Sequence, residues 1–295
     1  MVKIQILGRQ IIKVTHVSVK EFEANPSMIW NYDVMMHGTW DANAYNVLND
    51  NAVNEIARYI DAGKGVLLII KNYSGDVMNF EMAGEMAQAE GITVKQVVVD
   101  DDIAVENSTY TVGRRGIAGT IFVHKILGAA AEKGYDLDKL VELGNKVVKN
   151  LKTMGMSLKP CTVFTTGKES FEIADDEVEI GLGIHGEPGT HREKMTTANE
   201  FTKKLFEKIY AESNVQNGDR FAVLVNGLGE TTLIELFIIN NHLQDLLKDK
   251  GVEVARTLVG NYMTSLDMGG FSITLLKLDK EMEELLNAEE DTIAF

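Results

Sequence analysis

The stretch that most constrains the fold runs from Val66 to Val99. VLLIIK (66–71) is apolar until its last residue, flanked by Gly65 before it and NYSGD after it. A strand buried on both faces, as in a parallel sheet, reads this way. DVMNFEMAGEMAQAEG follows, rich in Met, Ala and Glu, with apolar residues at helical spacing and a stop at Gly91. TVKQVVV (93–99) then returns to strand. Parallel strands need a crossover, usually a helix, so this strand–helix–strand run predicts a βαβ unit and places the chain in the α/β class.

The remaining pattern extends that class. A strongly apolar helix is expected over 117–133, stopped by Gly134, and a second from about Leu137 to Met154. After Pro160 come short strand-like pieces, CTVFTT, SFEIA and EVEIGLGI. A helix over 198–212, a strand over 221–226, a helix over 232–249 and strands near 252–259 and 271–278 complete the alternation. The expectation is two α/β domains with mixed and parallel sheets, residues 1–156 and 157–295. The 295-residue length accommodates both.

Composition narrows the function classes. With 45% hydrophobic and 25% charged residues the chain has the make-up of a soluble globular protein, not of a disordered or collagen-like one. No apolar run of about 18 residues is present, so no membrane span is expected. The first residues, MVKIQILGRQIIKV, alternate apolar and polar and lack a long apolar core and a small-residue cleavage site, so no signal peptide is expected. A net charge of −15 disfavours nucleic acid, whose binding draws on Lys and Arg. The single cysteine, Cys161, allows no internal disulfide, and His16, His37, His191 and His242 lack metal-ligand spacing. A cytoplasmic protein without a metal is the expectation.

Ligands of open α/β sheets gather at the carboxyl ends of strands, and three such ends stand out. Lys71-Asn72-Tyr73-Ser74-Gly75-Asp76 turns from the buried strand into the helix. It is either a polar cluster at the sheet edge or a turn in which Ser74 or Asp76 caps the helix. Gly183-Ile184-His185-Gly186-Glu187-Pro188-Gly189 frames a histidine with glycines and proline; an uncrowded neutral imidazole is a nucleophile as well as a base. The alternative is a loop histidine without a role. Val225-Asn226-Gly227-Leu228-Gly229 is a strand running into a glycine turn, either an anion cradle at a helix start or a tight βα connection. Asp100-Asp101-Asp102 could bind a divalent cation, but more often such a run is a solvated or capping cluster. Arg114-Arg115-Gly116 is either a partner contact or, more readily, a surface ion-pair segment, and His124 reads as a packed, hydrogen-bonded core residue.

Five stretches together resemble the K-subunit family of dihydroxyacetone kinases. They are GVLLIIKNYSGDVMNFEMA, VVVDDDIAVENSTYTVGRRGIAGTIFVHKILGAAAEKG, EIGLGIHGEPGTHREKM, FAVLVNGLGETTLIELF and NYMTSLDMGGFSITLLKLD, in the family's order from about Ala62 to Leu278. The resemblance implies a homodimer of two-domain α/β protomers that binds dihydroxyacetone. It implies that His185, in the GIHGEPG motif, holds the ketone as a covalent hemiaminal. Asp76, in the KNYSGD motif, is implied as the base for the substrate hydroxyl, and Lys71 as a substrate-binding residue. The phosphoryl donor implied is a nucleotide with Mg on a separate L subunit, recharged from the phosphotransferase system through an M subunit, so no cofactor is expected on this chain.

One segment departs from the family. Where the family carries a stretch resembling KVxLISGGGSGHEPSH, this chain has Lys13 to Met28, KVTHVSVKEFEANPSM. Lys13, Val14, Ser18, Pro26 and Ser27 line up. The glycines that shape the substrate pocket become Val19, Lys20, Glu21 and Glu23, and Ala24 stands where the family has a second catalytic histidine. Backbone with φ > 0 is poorly served by such residues, so a different shape is expected here. Two functions follow from the resemblance: a kinase subunit that holds its substrate on His185, or a catalytically weak or inactive paralogue that binds dihydroxyacetone as a signal and acts as a transcriptional co-activator.

Overall fold

The computed structural model describes residues 2–6, 12–16, 24–25, 34–36, 65–106, 112–184, 189–216 and 218–289. His185, Gly186, Glu187 and Pro188 of the GIHGEPG motif lie outside the described residues. The amino-terminal strands β1 (Val2–Ile6), β2 (Ile12–His16) and β3 (Val34–Met36) form an antiparallel sheet in the order β2-β1-β3.

The βαβ unit is present. β4 (Val66–Lys71) pairs in parallel with β5 (Val94–Val99), and α1 (Ser74–Ala89) connects them. Two helices follow, α2 (Thr120–Glu132) and α3 (Leu137–Lys149). The helix expected to run to Met154 ends at Lys149, and Leu151–Lys159 is β6. Leu, Lys and Met suit a helix, but here the tertiary pairing decides. Thr153 pairs with Thr274, and Gly155 lets β6 approach Ser272.

β6 belongs to a six-stranded sheet of order β10-β9-β6-β13-β11-β12. Its other strands are β9 (Glu177–Ile180), β10 (His191–Lys194), β11 (Arg220–Gly227), β12 (Glu253–Gly260) and β13 (Gly269–Leu278). Only β11 and β12 run parallel; the other neighbours are antiparallel. A small hairpin, β7 (Thr162–Val163) and β8 (Lys168–Glu169), precedes β9. Ser157, at the expected domain boundary, lies inside β6.

Side chains alternate across this sheet with the period of a strand. Ala222, Leu224, Leu276 and Leu278 face one way and join Phe122, Val123, Leu143 and Val147 of α2 and α3, together with Val97 and Val99 of β5. Phe221, Val223, Val225, Ile273 and Leu275 face the other way. They meet Phe201, Leu205 and Ile209 of α4 (Ala198–Glu212) and Leu236, Ile239 and Leu243 of α5 (Leu233–Asp249). A short helix α6 (Lys280–Leu286) adds Met282, Leu285 and Leu286 to the first cluster. Helices therefore cover both faces of the sheet, and the first face shares its core with the βαβ unit.

Candidate active site

The turn after β4 is built by Asn72. Its backbone N–H donates to the Val99 carbonyl (2.8 Å), and its side-chain amide donates to the carbonyls of Val112 (3.0 Å) and Arg114 (2.6 Å). The Gly116 N–H returns a bond to the Asn72 carbonyl (3.2 Å). Segment 112–116 is thus pinned against the carboxyl end of β4. Gly116 allows the approach: a Cβ there would stand 2.3 Å from the Val99 oxygen and 2.6 Å from the Asn72 nitrogen. Lys71 is half-buried at the strand end, and Asp76 is half-buried in the first turn of α1, where the helix dipole favours a carboxylate. Tyr73 is the N-cap, and its own side chain makes no cap bond.

In the aspartate run after β5, Asp100 is exposed while Asp101 and Asp102 are buried. Asp101 accepts from the N–H groups of Ile117 (2.7 Å) and Gly119 (2.8 Å), ahead of α2, while burial pushes its carboxyl above the usual range. Asp102 accepts from Arg115 Nε (2.8 Å) and Nη2 (2.7 Å). Burial pushes Asp102 up to about 6 against the pull of that guanidinium. Arg115 is therefore not the surface cation that its sequence context implies; only Arg114 fits that description, pairing with Glu212 at 2.7 Å. Adjacent arginines in an unstructured-looking segment give no sign of which one turns inward.

Arg115 also reaches the connection that carries His185 in the sequence. Its Nη2 donates to the Gly181 carbonyl at 2.6 Å. Gly181, at φ +72°, gives its N–H to the Gly155 carbonyl (2.7 Å), and a Cβ there would meet the Ala104 Cβ at 2.6 Å. At the far end, Gly189 N–H donates to Glu179 Oε1 (2.8 Å) and Thr190 N–H to the Ile180 carbonyl (2.8 Å). Both ends of the stretch around His185 are fixed to the sheet. Among the described residues, Lys71 and Asp76 lie on either side of the turn at one strand end, and that end is linked, through Asn72 and Arg115, to Gly181.

His124 belongs to this neighbourhood too. It is half-buried on α2, and burial lowers its imidazole to about 4, with the Lys71 ammonium acting in the same direction. The third strand end is structural. Buried Asn226 accepts from the N–H groups of Tyr262 (3.0 Å) and Met263 (2.8 Å) and donates to the Met263 carbonyl (2.8 Å). At the start of α5 the Glu235 carboxylate accepts from Thr232 N–H (2.9 Å) and Oγ1 (2.7 Å). A negative group thus occupies the place where an anion would bind. Among the described residues no three His, Cys, Asp or Glu side chains are grouped to hold a metal ion, and no helix is long and apolar enough to cross a membrane.

The fold is that of an α/β protein in which Lys71 and Asp76 flank the turn where a parallel strand ends and a helix begins. The chain belongs to the Dak1 family, matching the Dak1 domain over residues 45–294. It is 56% identical over 236 residues to the dihydroxyacetone-binding subunit DhaK of PTS-dependent dihydroxyacetone kinase 1 from Listeria innocua, covering 80% of this chain and 72% of that one. Among solved structures, the dihydroxyacetone kinase operon co-activator Dha-DhaQ aligns with a TM-score of 0.73 at 40% identity, over 79% of this chain and 74% of its own. The dihydroxyacetone kinase of C. freundii, solved in complex with AMP-PNP and Mg2+, aligns with a TM-score of 0.70 at 32% identity, over 80% of this chain and 44% of that one.

Proposed function

We propose that this chain is the dihydroxyacetone-binding subunit of a multi-subunit dihydroxyacetone kinase. The observation that carries the reading is the link from the Lys71–Asp76 turn, through Asn72 and Arg115, to Gly181 at the start of the connection bearing His185. A neutral imidazole nitrogen of His185 adds to the ketone carbon. The carbonyl π pair moves to oxygen, which takes up a proton as the ring nitrogen loses one, and a hemiaminal results. Glycerol has no carbonyl and cannot be held in this way, whatever its fit. Covalent attachment fixes the substrate hydroxyl near Asp76, which accepts its proton as the oxygen attacks phosphorus, while Lys71 hydrogen-bonds the substrate. A nucleotide with Mg on a partner L subunit supplies the phosphoryl group. An M subunit recharges that nucleotide from the phosphotransferase system. The working form is a cytoplasmic homodimer in glycerol metabolism.

Carbon NMR with carbonyl-labelled dihydroxyacetone tests the reading. A tetrahedral hemiaminal carbon is expected with the unaltered protein and not with His185→Ala; absence of the signal from both overturns it. Asp76→Asn is expected to keep the adduct and lose turnover when L and M subunits are added.

A second reading rests on Ala24, an exposed residue at the position of the family's second catalytic histidine. Loss of one acid–base group costs about 10²–10⁴ in rate. In this reading the chain holds the ketone as a signal and acts as a transcriptional co-activator; its structural relative Dha-DhaQ is named an operon co-activator. Adduct without phosphorylated product in the presence of L and M subunits selects it; product selects the kinase.

A further inference from the structure

A buried ion pair is a poor stabilising device in itself. Taking both charges out of water costs several kcal/mol, and apolar replacements of the same shape are often as stable. The Asp102–Arg115 pair is nearly sealed from solvent, at 0% and 2% side-chain exposure. Its geometry points to a task other than stability. The Asp102 carboxylate is used at both oxygens. Oδ2 accepts from the Arg115 guanidinium, and Oδ1 accepts from Ala104 N–H at 2.9 Å. Each of these partners touches Gly181, Arg115 through its bond to the carbonyl and Ala104 by packing against the glycine's α-carbon face. Arg115 N–H and C=O are on the same segment that Asn72 pins beside Lys71, and the Arg115 carbonyl also accepts from Asp102 N–H at 3.0 Å. A guanidinium is a rigid planar fork whose donors leave in fixed directions. It therefore holds Gly181 at a set distance from the end of β4.

We propose that Arg115 and Asp102 are positioning residues that set where the His185 connection stands relative to the Lys71–Asp76 turn. This rests on the reading of His185 as the ketone-binding nucleophile. Neither residue has to touch substrate. Their role is to hold fixed the span between the His185 connection and Lys71, which hydrogen-bonds the ketone while the imidazole adds to its carbonyl carbon. A misplacement of about 1 Å between reacting groups costs on the order of 10²-fold in rate.

The test uses the full chain and carbonyl-labelled dihydroxyacetone, following hemiaminal formation by carbon NMR in Arg115→Met, Arg115→Lys and Asp102→Asn. Arg115→Met keeps the side-chain length without the donors, and Arg115→Lys keeps the charge without the fork. Both are expected to stay folded by circular dichroism while hemiaminal formation slows on the order of 10²-fold, and the restored charge in Lys is expected to recover little. A folded variant with the unaltered rate overturns the proposal, as does a lowered melting temperature with an unchanged rate below it. Should Arg115→Met fail to fold, Asp102→Asn decides, because it preserves the side-chain shape while losing the charge and one of the two acceptors that orient the fork. If the unaltered protein forms no adduct, the reading of His185 itself fails. Adduct in the unaltered protein with equal rates in all variants rejects the positioning role alone.

Discussion

His124 shows how a residue's surroundings can be felt without being legible in its sequence context. Its place in an apolar helix was visible, and half-burial agrees with that. The nearness of Lys71 was not, because the two meet only when α2 is laid against the end of β4. Burial first, and Lys71 second, lower the imidazole from 6.5 to about 4. The folded state thus binds its proton less readily than the unfolded chain. Stability is fully present above about 6.5 and is lost as pH falls towards 4, by roughly 3 kcal/mol at most from a shift of this size. Urea unfolding at pH 7 and pH 4.5 is expected to show this loss, and His124→Gln should flatten that part of the slope; an unchanged slope would reject the assignment. Gly116 makes a sharper case. A methyl group there runs into backbone of both β4 and β5, which cannot turn aside as a side chain would. Gly116→Ala is expected to cost at least the upper end of the roughly 1–3 kcal/mol typical of overpacking, read as a drop in urea midpoint.

At the scale of elements, the two strand ends whose motifs look alike on paper have diverged in use. KNYSGD and VNGLG both follow a buried strand and lead into a helix. The first leaves Lys71 and Asp76 half-buried at the surface of the turn, while the second folds Asn226 inward to tie β11 to the segment after β12. Periodicity identified both strands and both helices, since it depends on burial of a face. It could not say which polar residue would turn in, because that depends on partners far along the chain. The same limit explains Arg115, read as a surface cation and found buried, and the aspartate run, in which Asp101 takes the capping alternative over the solvated one. Asn226→Ala is expected to cost about 3 kcal/mol, since two N–H groups and a carbonyl lose their partner and each orphaned buried group costs roughly 1–3 kcal/mol. Hemiaminal formation measured well below the melting temperature should be unaffected. A slowed adduct with unaltered stability would instead place Asn226 in the site.

Across the whole molecule, the expected division between residues 156 and 157 meets a sheet that does not divide there. β6 passes through that point while paired to β13 on one side and β9 on the other. The apolar cluster on the first face of the sheet draws Val97 and Val99 from the βαβ unit and Leu224 and Leu276 from the six-stranded sheet into contact with α2 and α3. Composition and pattern revealed two regions of α/β alternation, but a strand's neighbours in a mixed sheet are not written in its own residues. The candidate site spans the same junction, with Lys71 and Asp76 on one side and Gly181 on the other. Its geometry is therefore held by the shared core as well as by Arg115. Leu224→Ala removes a fully buried side chain from that cluster and is expected to cost about 2–5 kcal/mol. Because the cluster is shared, the loss should appear equally in both regions. Hydrogen exchange followed by mass spectrometry is expected to report the same drop in opening free energy for amides of β5 and of β11. A drop confined to β11 would mean that the βαβ unit opens independently of the sheet, and the span between Asp76 and Gly181 would then depend on the Asp102–Arg115 link alone.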